Sequence, residues 1–333
     1  MSTAKKIVIL VALCAIALGA IVVVVTLASA KFSWAKLSTE EHYERGSLEV
    51  HKDMVADIEI EQIDWDVKIL PTDSKFCTVE YATGEKMKEE VDVHDGKLTV
   101  KQTDERSWSE KIGIRSSTRD ETILLIYLPI DSYNSISIKS DSGDVIVPRA
   151  VLYAEGEGGE TVSRVVDFGS VTVETISGDV TFLADTRGGL TVDTTSGDAE
   201  IGHVMGGSAK IKTTSGDLTF TDSTPASLDV ESTSGDLQLQ NVRVTNGARV
   251  HTTSGDVKMQ SCYAHDLDID TTSGDVELRF AEGIAVETHT TSGDVTLVPD
   301  KEENLGANGE TCRVNTASGD IYVSRPAIRV WAY

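Results

Sequence analysis

Aromatic and basic residues are both scarce in this sequence. Aromatic residues make up 5% of the 333 residues, whereas the chain has 27 glycines and 40% apolar residues. This composition favours thin, repeated layers over a single bulky core. Lysine and arginine number 30 against 54 aspartates and glutamates, which gives a formal net charge of −24. Because phosphate binding needs a basic surface, we predict no nucleic-acid partner.

The sequence also lacks the short motifs that mark common catalytic centres. It has no nucleotide-binding loop, no nucleophile elbow and no cysteine–histidine zinc signature. The chain has only four cysteines. Cys14 lies in an apolar run, and Cys77 and Cys312 alternate with apolar residues. Cys262 occupies a different position from Cys312 in the repeat described below. A Cys262–Cys312 disulfide needs Cα atoms within about 7 Å, which that offset disfavours. We predict buried thiols, no cofactor and no enzymatic activity.

One apolar run is long enough to cross a membrane. Residues 7–30 contain no charged side chain, and as a helix they would span about 36 Å. Lys5 and Lys6 precede the run, which favours a cytoplasmic N-terminus. The alternative is a secretory signal cleaved after Ala30, although signal peptides have shorter apolar regions of about 7–15 residues. The sequence predicts a single-pass protein of the cell membrane whose repeat domain is extracellular.

Internal periodicity is the strongest signal in the chain. From Gly178 to Gly293 the glycines of Ser-Gly-Asp recur at steps of 19, 19, 19, 20, 19 and 19 residues. The 35-residue gap before Gly178 leaves room for a degenerate repeat near Gly159, and a longer step near the end carries an insertion at residues 301–310. The motif occurs nine times, with its glycines at Gly143, Gly178, Gly197, Gly216, Gly235, Gly255, Gly274, Gly293 and Gly319.

Each repeat resolves into two short strands. Apolar residues stand seven and five positions before the glycine and two and four positions after it, with Ser or Thr three before, as in Leu228, Val230, Ser232, Leu237 and Leu239 around Gly235. Polar residues fill the positions between, so one face of each strand is buried. Stacked at about 4.8 Å per rung, the apolar columns form one core. We predict an all-β parallel β-helix (β-solenoid) of ten to twelve rungs.

The remaining segments complete the predicted organisation. Strand-like alternation before the first Ser-Gly-Asp motif indicates irregular rungs, and the apolar end of the chain indicates a cap. The predicted divisions are a cytoplasmic tail at 1–6, a transmembrane helix at 7–30, a juxtamembrane linker at 31–54, irregular β rungs at 55–130, the regular solenoid at 131–325 and a C-terminal cap at 326–333.

The tandem turns resemble those of a known family. Repeated Thr-Thr-Ser-Gly-Asp-Val turns follow a Tyr127-Leu128-Pro129 strand and an N-terminal apolar segment. In these features the chain resembles the bacterial putative-adhesin family of unknown function over about residues 55–325. The resemblance implies a right-handed parallel β-helix at the bacterial envelope, and it carries over no catalytic residues.

Two outward columns contain candidate ligand-binding residues. The aspartate after each glycine suggests calcium, but the calcium-solenoid signature Gly-Gly-x-Gly-x-Asp is absent, and each carboxylate can instead accept backbone N–H bonds in its turn. In the column four residues before the glycine, His251, Asp270 and His289 come from consecutive repeats. Two imidazoles flanking a carboxylate predict a zinc or copper site.

The functional prediction is a non-enzymatic cell-surface module. Its partners would be a cell-wall polymer, a glycan or a protein bound in an adhesin-like manner, or the envelope for which it acts as a scaffold. Two alternatives remain: a polysaccharide-active β-helix enzyme, which would need paired carboxylates about 5–10 Å apart, and a metal-binding surface protein.

Overall fold

The structure is a computed structural model that describes residues 43–107, 123–155, 161–280, 285–298 and 311–324. The regular secondary structure of these residues is β-strand apart from one 3-10 helix at Lys52–Met54. Within these ranges no helix is long and apolar enough to cross a membrane. The predicted tail at 1–6, membrane helix at 7–30, insertion at 301–310 and cap at 326–333 all lie outside the described residues.

The first strands precede the regular repeats. They are β1 (Glu44–His51), β2 (Asp57–Gln62), β3 (Asp66–Thr72), β4 (Phe76–Thr83), β5 (Met87–His94), β6 (Lys97–Asp104), β7 (Ile123–Pro129), β8 (Ser132–Ser140), β9 (Val145–Val147), β10 (Leu152–Glu155) and β11 (Thr161–Arg164). β10 and β11 form a separate antiparallel sheet, while β8 pairs directly with the next repeat. The gap before Gly178 therefore holds a two-stranded excursion, and the degenerate rung predicted near Gly159 is wrong.

The regular repeats follow. Their strands are β12 (Asp167–Ser177), β13 (Val180–Phe182), β14 (Asp185–Thr186), β15 (Leu190–Ser196), β16 (Ala199–Gly202), β17 (Ser208–Ser215), β18 (Leu218–Ser223), β19 (Ser227–Ser234), β20 (Leu237–Ser254), β21 (Val257–Ser273), β22 (Val276–Phe280), β23 (Ala285–Ser292), β24 (Val295–Val298), β25 (Thr311–Ser318) and β26 (Ile321–Ser324). Strands of successive rungs pair in parallel and in register, as β17 does with β19.

Burial confirms the predicted alternation in the regular rungs other than the outermost one, β23 and β24. On β17, Ala209, Ile211 and Thr213 are buried, and the residues between them are exposed. The buried residues of the regular repeats join into one hydrophobic core, and Trp65, Ala82 and Met87 form a second, small cluster in the irregular rungs. Cys77, Cys262 and Cys312 are buried and form no disulfide, as predicted, whereas Cys14 lies outside the described residues.

Several rungs contain a third side that sequence reasoning missed. Six residues after the turn glycine, the backbone turns through positive φ at non-glycine residues that stack in neighbouring rungs. Beyond this corner the chain returns to the core, where Val204, Val242 and Cys262 are buried. The corner residues are His203, Asp222, Asn241 and Ser261.

The order of rungs at the C-terminal end differs from the order in the sequence. β25 pairs with β21 on one side and with β23 on the other, so the last rung in sequence lies between the two that precede it. This places Val314 in the core and leaves Thr288, a polar residue in an apolar column, half-buried on the outermost rung. It also seats Arg313 between Asp268 and Glu287, 4.0 and 3.8 Å away, where the sequential order would place two carboxylates side by side.

The same exchange occurs at the N-terminal end. β2 pairs with β6 on one side and with β8 on the other, and β3 likewise lies between β7 and β9. Two antiparallel strands then cover the outermost rung, which consists of β6 and β7: β5 pairs with β6, and β4 pairs with β7. β1 pairs with β4, so the predicted linker at 31–54 is wrong over Glu44–His51, which is part of the folded sheet.

Candidate ligand-binding face

The aspartates of the turns form a hydrogen-bonded ladder along the array. The backbone N–H of each aspartate donates to Oδ1 of the aspartate one rung away, at 2.8–3.0 Å. The carboxylates accept backbone N–H bonds as predicted, but the donors belong to the neighbouring turn. Each such bond contributes about 1.5–3 kcal/mol. The ladder runs Asp66, Asp144, Asp179, Asp198, Asp217, Asp236, Asp256, Asp275, Asp320, Asp294.

The residues of the predicted metal site do not occupy three consecutive rungs. His251 pairs with Asp270 as expected, but the next residue in the column is Asn315, whose Nδ2 donates to Asp270 Oδ1 at 2.8 Å. His289 lies beyond Asn315. The predicted grouping is wrong because it assumed that rungs stack in sequence order. Within the described ranges, no three His, Cys, Asp or Glu side chains converge to hold a metal ion.

A neighbouring column alternates in charge instead. Six positions before the turn glycines from Gly216 onwards, cations and carboxylates follow one another across paired strands. We call this the charge column: Lys210, Asp229, Arg249, Asp268, Arg313 and Glu287. The exposed side of the strands that carry it, β17, β19, β20, β21, β25 and β23, is the charged face.

The middle of the charged face contains a shallow cleft of about 440 Å³. Asp229, Arg249, Asp268 and Arg313 line it, together with Gly247, which has no side chain to fill the space. Among the described residues, the Arg249 guanidinium has no ion-pair or hydrogen-bond partner, and the buried Oδ1 atoms of Asp229 and Asp268 accept no hydrogen bond. The cleft therefore brings a cation without a partner next to the partly exposed side chains of Asp229 and Asp268.

A second group of polar residues is buried in the irregular N-terminal rungs. Glu89 is 7% exposed, and Gln62 Nε2 donates to its Oε1 at 2.5 Å. Gln102 faces it from β6 and accepts the backbone N–H of Ile63 at 2.9 Å. Burial raises the pKa of Glu89 to about 7, and the neighbouring side-chain amides of Gln62 and Gln102 oppose that rise. Sequence reasoning missed this acid because β5 shows no repeat motif.

The buried thiols are unsuited to chemistry at neutral pH. Burial raises the pKa of Cys77 to about 11, and it raises the pKa of Cys262 to about 11 as well. Since the thiolate is the reactive form, both side chains act as apolar core residues.

Several solved structures are similar to this chain. A putative adhesin from Parabacteroides distasonis aligns over 87% of this chain and 99% of its own, at 10% identity and a TM-score of 0.43. A putative lipid binding protein from the same species aligns over 87% of this chain and 100% of its own, at 10% identity and a TM-score of 0.40. A putative cell adhesion protein from Clostridium sporogenes aligns over 86% of this chain and 100% of its own, at 10% identity and a TM-score of 0.25.

Family membership rests on a sequence model. No curated protein matches the chain. The model described as Toastrack DUF4097 matches residues 55–184 and 161–324, which together span the irregular rungs and the regular repeats. The predicted adhesin-like family of unknown function is thus confirmed at this level, and the chain belongs to the Toastrack DUF4097 family.

Proposed function

We propose that this protein is a non-enzymatic, adhesin-like surface module that binds an extended glycan or cell-wall polymer along the charged face. The cleft lined by Arg249, Asp268 and Arg313 is the observation that carries the proposal. Two solved structures with names that mention adhesion align with this chain over most of its length, in keeping with such a role.

The chemistry of the cleft favours a glycan among possible ligands. A sugar hydroxyl both donates and accepts hydrogen bonds, so it can pair with a guanidinium and a carboxylate at once. Arg249 offers the donor, and the partly exposed side chains of Asp229 and Asp268 offer the acceptors. Because rungs repeat every ~4.8 Å and the charge alternates between them, an extended polymer can meet similar groups on every second rung, about 9.6 Å apart. Several weak contacts on one polymer then add through their high effective concentration.

Binding of purified full-length protein in detergent to an array of glycans and envelope polymers tests this proposal. We expect at least one polymer to bind, and the Arg249→Gln/Arg313→Gln variant to bind it at least tenfold more weakly. The loss follows because each charge-assisted hydrogen bond contributes about 1.5–3 kcal/mol.

A matched control removes two cations elsewhere. Lys97 and Lys101 pair with Glu59 and Glu61 on the irregular rungs, at 2.5 and 2.6 Å, far along the sheet from the cleft. The Lys97→Gln/Lys101→Gln variant should bind as the parent does. Equal losses in both variants, or no binding by the parent, would contradict the proposed site.

We also propose that residues 7–30 anchor the protein and that the solenoid is extracellular. The uncharged run and the two lysines before it support this placement. Protease added to intact cells should degrade the solenoid and leave a short membrane-bound fragment. A solenoid that stays intact until the cells are lysed would refute the orientation, and a soluble product lacking residues 1–30 would refute the anchor.

A further inference from the structure

The outermost rung at the C-terminal end has an open edge. β23 and β24 pair with β25 and β26 on one side, and no described strand pairs with them on the other. Val295, Leu297 and Val298 are 41%, 37% and 43% exposed, whereas Ile321 and Val323 in the next rung are 1% and 0% exposed. Val295 and Leu297 occupy the core columns of the array but have a neighbouring rung on one side only.

The open edge also ends two rows of charge. Asp294 is the last aspartate of the ladder, and its Oδ1 accepts no N–H from the described residues. The Oδ1 atoms of all the other ladder aspartates accept an N–H from an adjacent rung. Glu287 ends the charge column with Arg313 on one side, and its side chain is 80% exposed. An occupant of this edge should therefore be apolar and basic.

The opposite end of the array shows how this chain covers such an edge. There β4 and β5, which come from the same chain, pair antiparallel with the strands of the outermost rung. Open strand edges favour aggregation, and solenoids need caps at their ends. The C-terminal edge has the same requirement.

We propose that residues 325–333 cover this edge. The segment begins next to Ser324, which pairs with Val298 of the outermost rung. It contains no acidic residue, it includes Arg325 and Arg329, and Ile328 and Val330 alternate along it. Nine residues reach about 30 Å when extended, enough to pass β24, which takes two rung spacings or about 9.6 Å, and to follow a four-residue strand.

Two other occupants fit less well. A second copy would present an equally acidic edge, with its own Glu287 and Asp294, and like charges across paired strands are destabilising. The nearby segment at 299–310 is itself acidic, with Asp300, Glu302, Glu303 and Glu310. A segment tethered one rung away also has a high effective concentration at the edge.

Hydrogen exchange in the full-length protein tests the proposal. We compare the parent with a chain that ends at Ser324, and follow the amides of β24 together with those of β19 in the middle of the array. Loss of the segment should speed exchange in β24 about tenfold or more while β19 stays protected, because only the edge opens. Equal exchange of β24 in the two proteins would overturn the proposal.

A full-length charge variant guards against misfolding of the truncated chain. Arg325→Glu/Arg329→Glu keeps every apolar side chain and should also speed exchange in β24, since the added carboxylates face Asp294 and Glu287. Unchanged exchange in this variant would overturn the role given to the arginines. Protection of β24 that appears only at high protein concentration would assign the edge to a second copy and overturn the proposal as well.

Discussion

Replacing Gly235 with alanine is expected to lower the free energy of unfolding by more than about 4 kcal/mol, a loss seen only for severe core defects. An alanine Cβ at this position would lie 2.1 Å from the carbonyl oxygen of Gly216 and 2.7 Å from its carbonyl carbon. Both atoms belong to the backbone of the adjacent rung, which ladder hydrogen bonds hold in place. The φ of +123° adds strain of about 1–3 kcal/mol for any residue with a side chain.

Urea unfolding followed by circular dichroism measures this effect, with Gly247→Ala as the control. A Cβ at Gly247 would lie 3.6 Å from the nearest backbone atom, the carbonyl oxygen of Asp266, and its φ is not in the left-handed region. The free energy of unfolding of the Gly247→Ala variant should differ from that of the parent by less than about 1 kcal/mol. Similar midpoints for the parent and the Gly235 variant would show that the rungs do not approach each other at the turn as closely as described.

Replacing Glu89 with glutamine is expected to stabilise the protein at alkaline pH by about 3 kcal/mol, and to change its stability little near pH 4. The pKa of Glu89 is raised from 4.5 to about 7 by burial. The folded state therefore binds this proton more tightly than the unfolded state does. The stability that the proton provides is fully present below about pH 4.5 and is lost as the pH rises through about 7.

Unfolding at a series of pH values checks this difference, and Glu90→Gln is the matched control. Glu90 is the next residue along β5 and is exposed, so its replacement removes the same charge without changing a buried site. The Glu89 variant should lose the decline in stability between about pH 5 and 8, and the Glu90 variant should keep it. A parallel pH dependence in both variants would mean that Glu89 ionises in contact with water.

The sequence predicts the rungs well because their determinants are local. The glycine, the aspartate and the alternating apolar positions recur inside each repeat, and the structure places Leu228, Val230, Leu237 and Leu239 in the core as that pattern requires. The third side was missed because its corner uses four different residue types at positive φ, among them His203 and Asn241. No single residue type marks that turn.

The order of rungs is not local, because every repeat presents the same register to its neighbours. Prediction of the metal site failed for this reason, since Asn315 separates Asp270 from His289. Two signals in the sequence do favour the observed order. Thr288 interrupts an apolar column and is better placed at an end, and Arg313 completes a column of alternating charge. Neither signal can be used until the alternatives to sequential stacking are considered.

The exchanged order of the last two rungs has a consequence for folding during synthesis. Residues 285–298 leave the ribosome before residues 311–324, and their Thr-Ser-Gly-Asp turn matches the free edge of β21 and β22 as well as its successor does. Early docking there would set Glu287 beside Asp268 and Thr288 on Ile269, and it must be undone before β25 and β26 can enter. Like-charge contact weakens that trapped state and speeds its release. We therefore expect the charge column to influence the folding pathway as well as the finished protein.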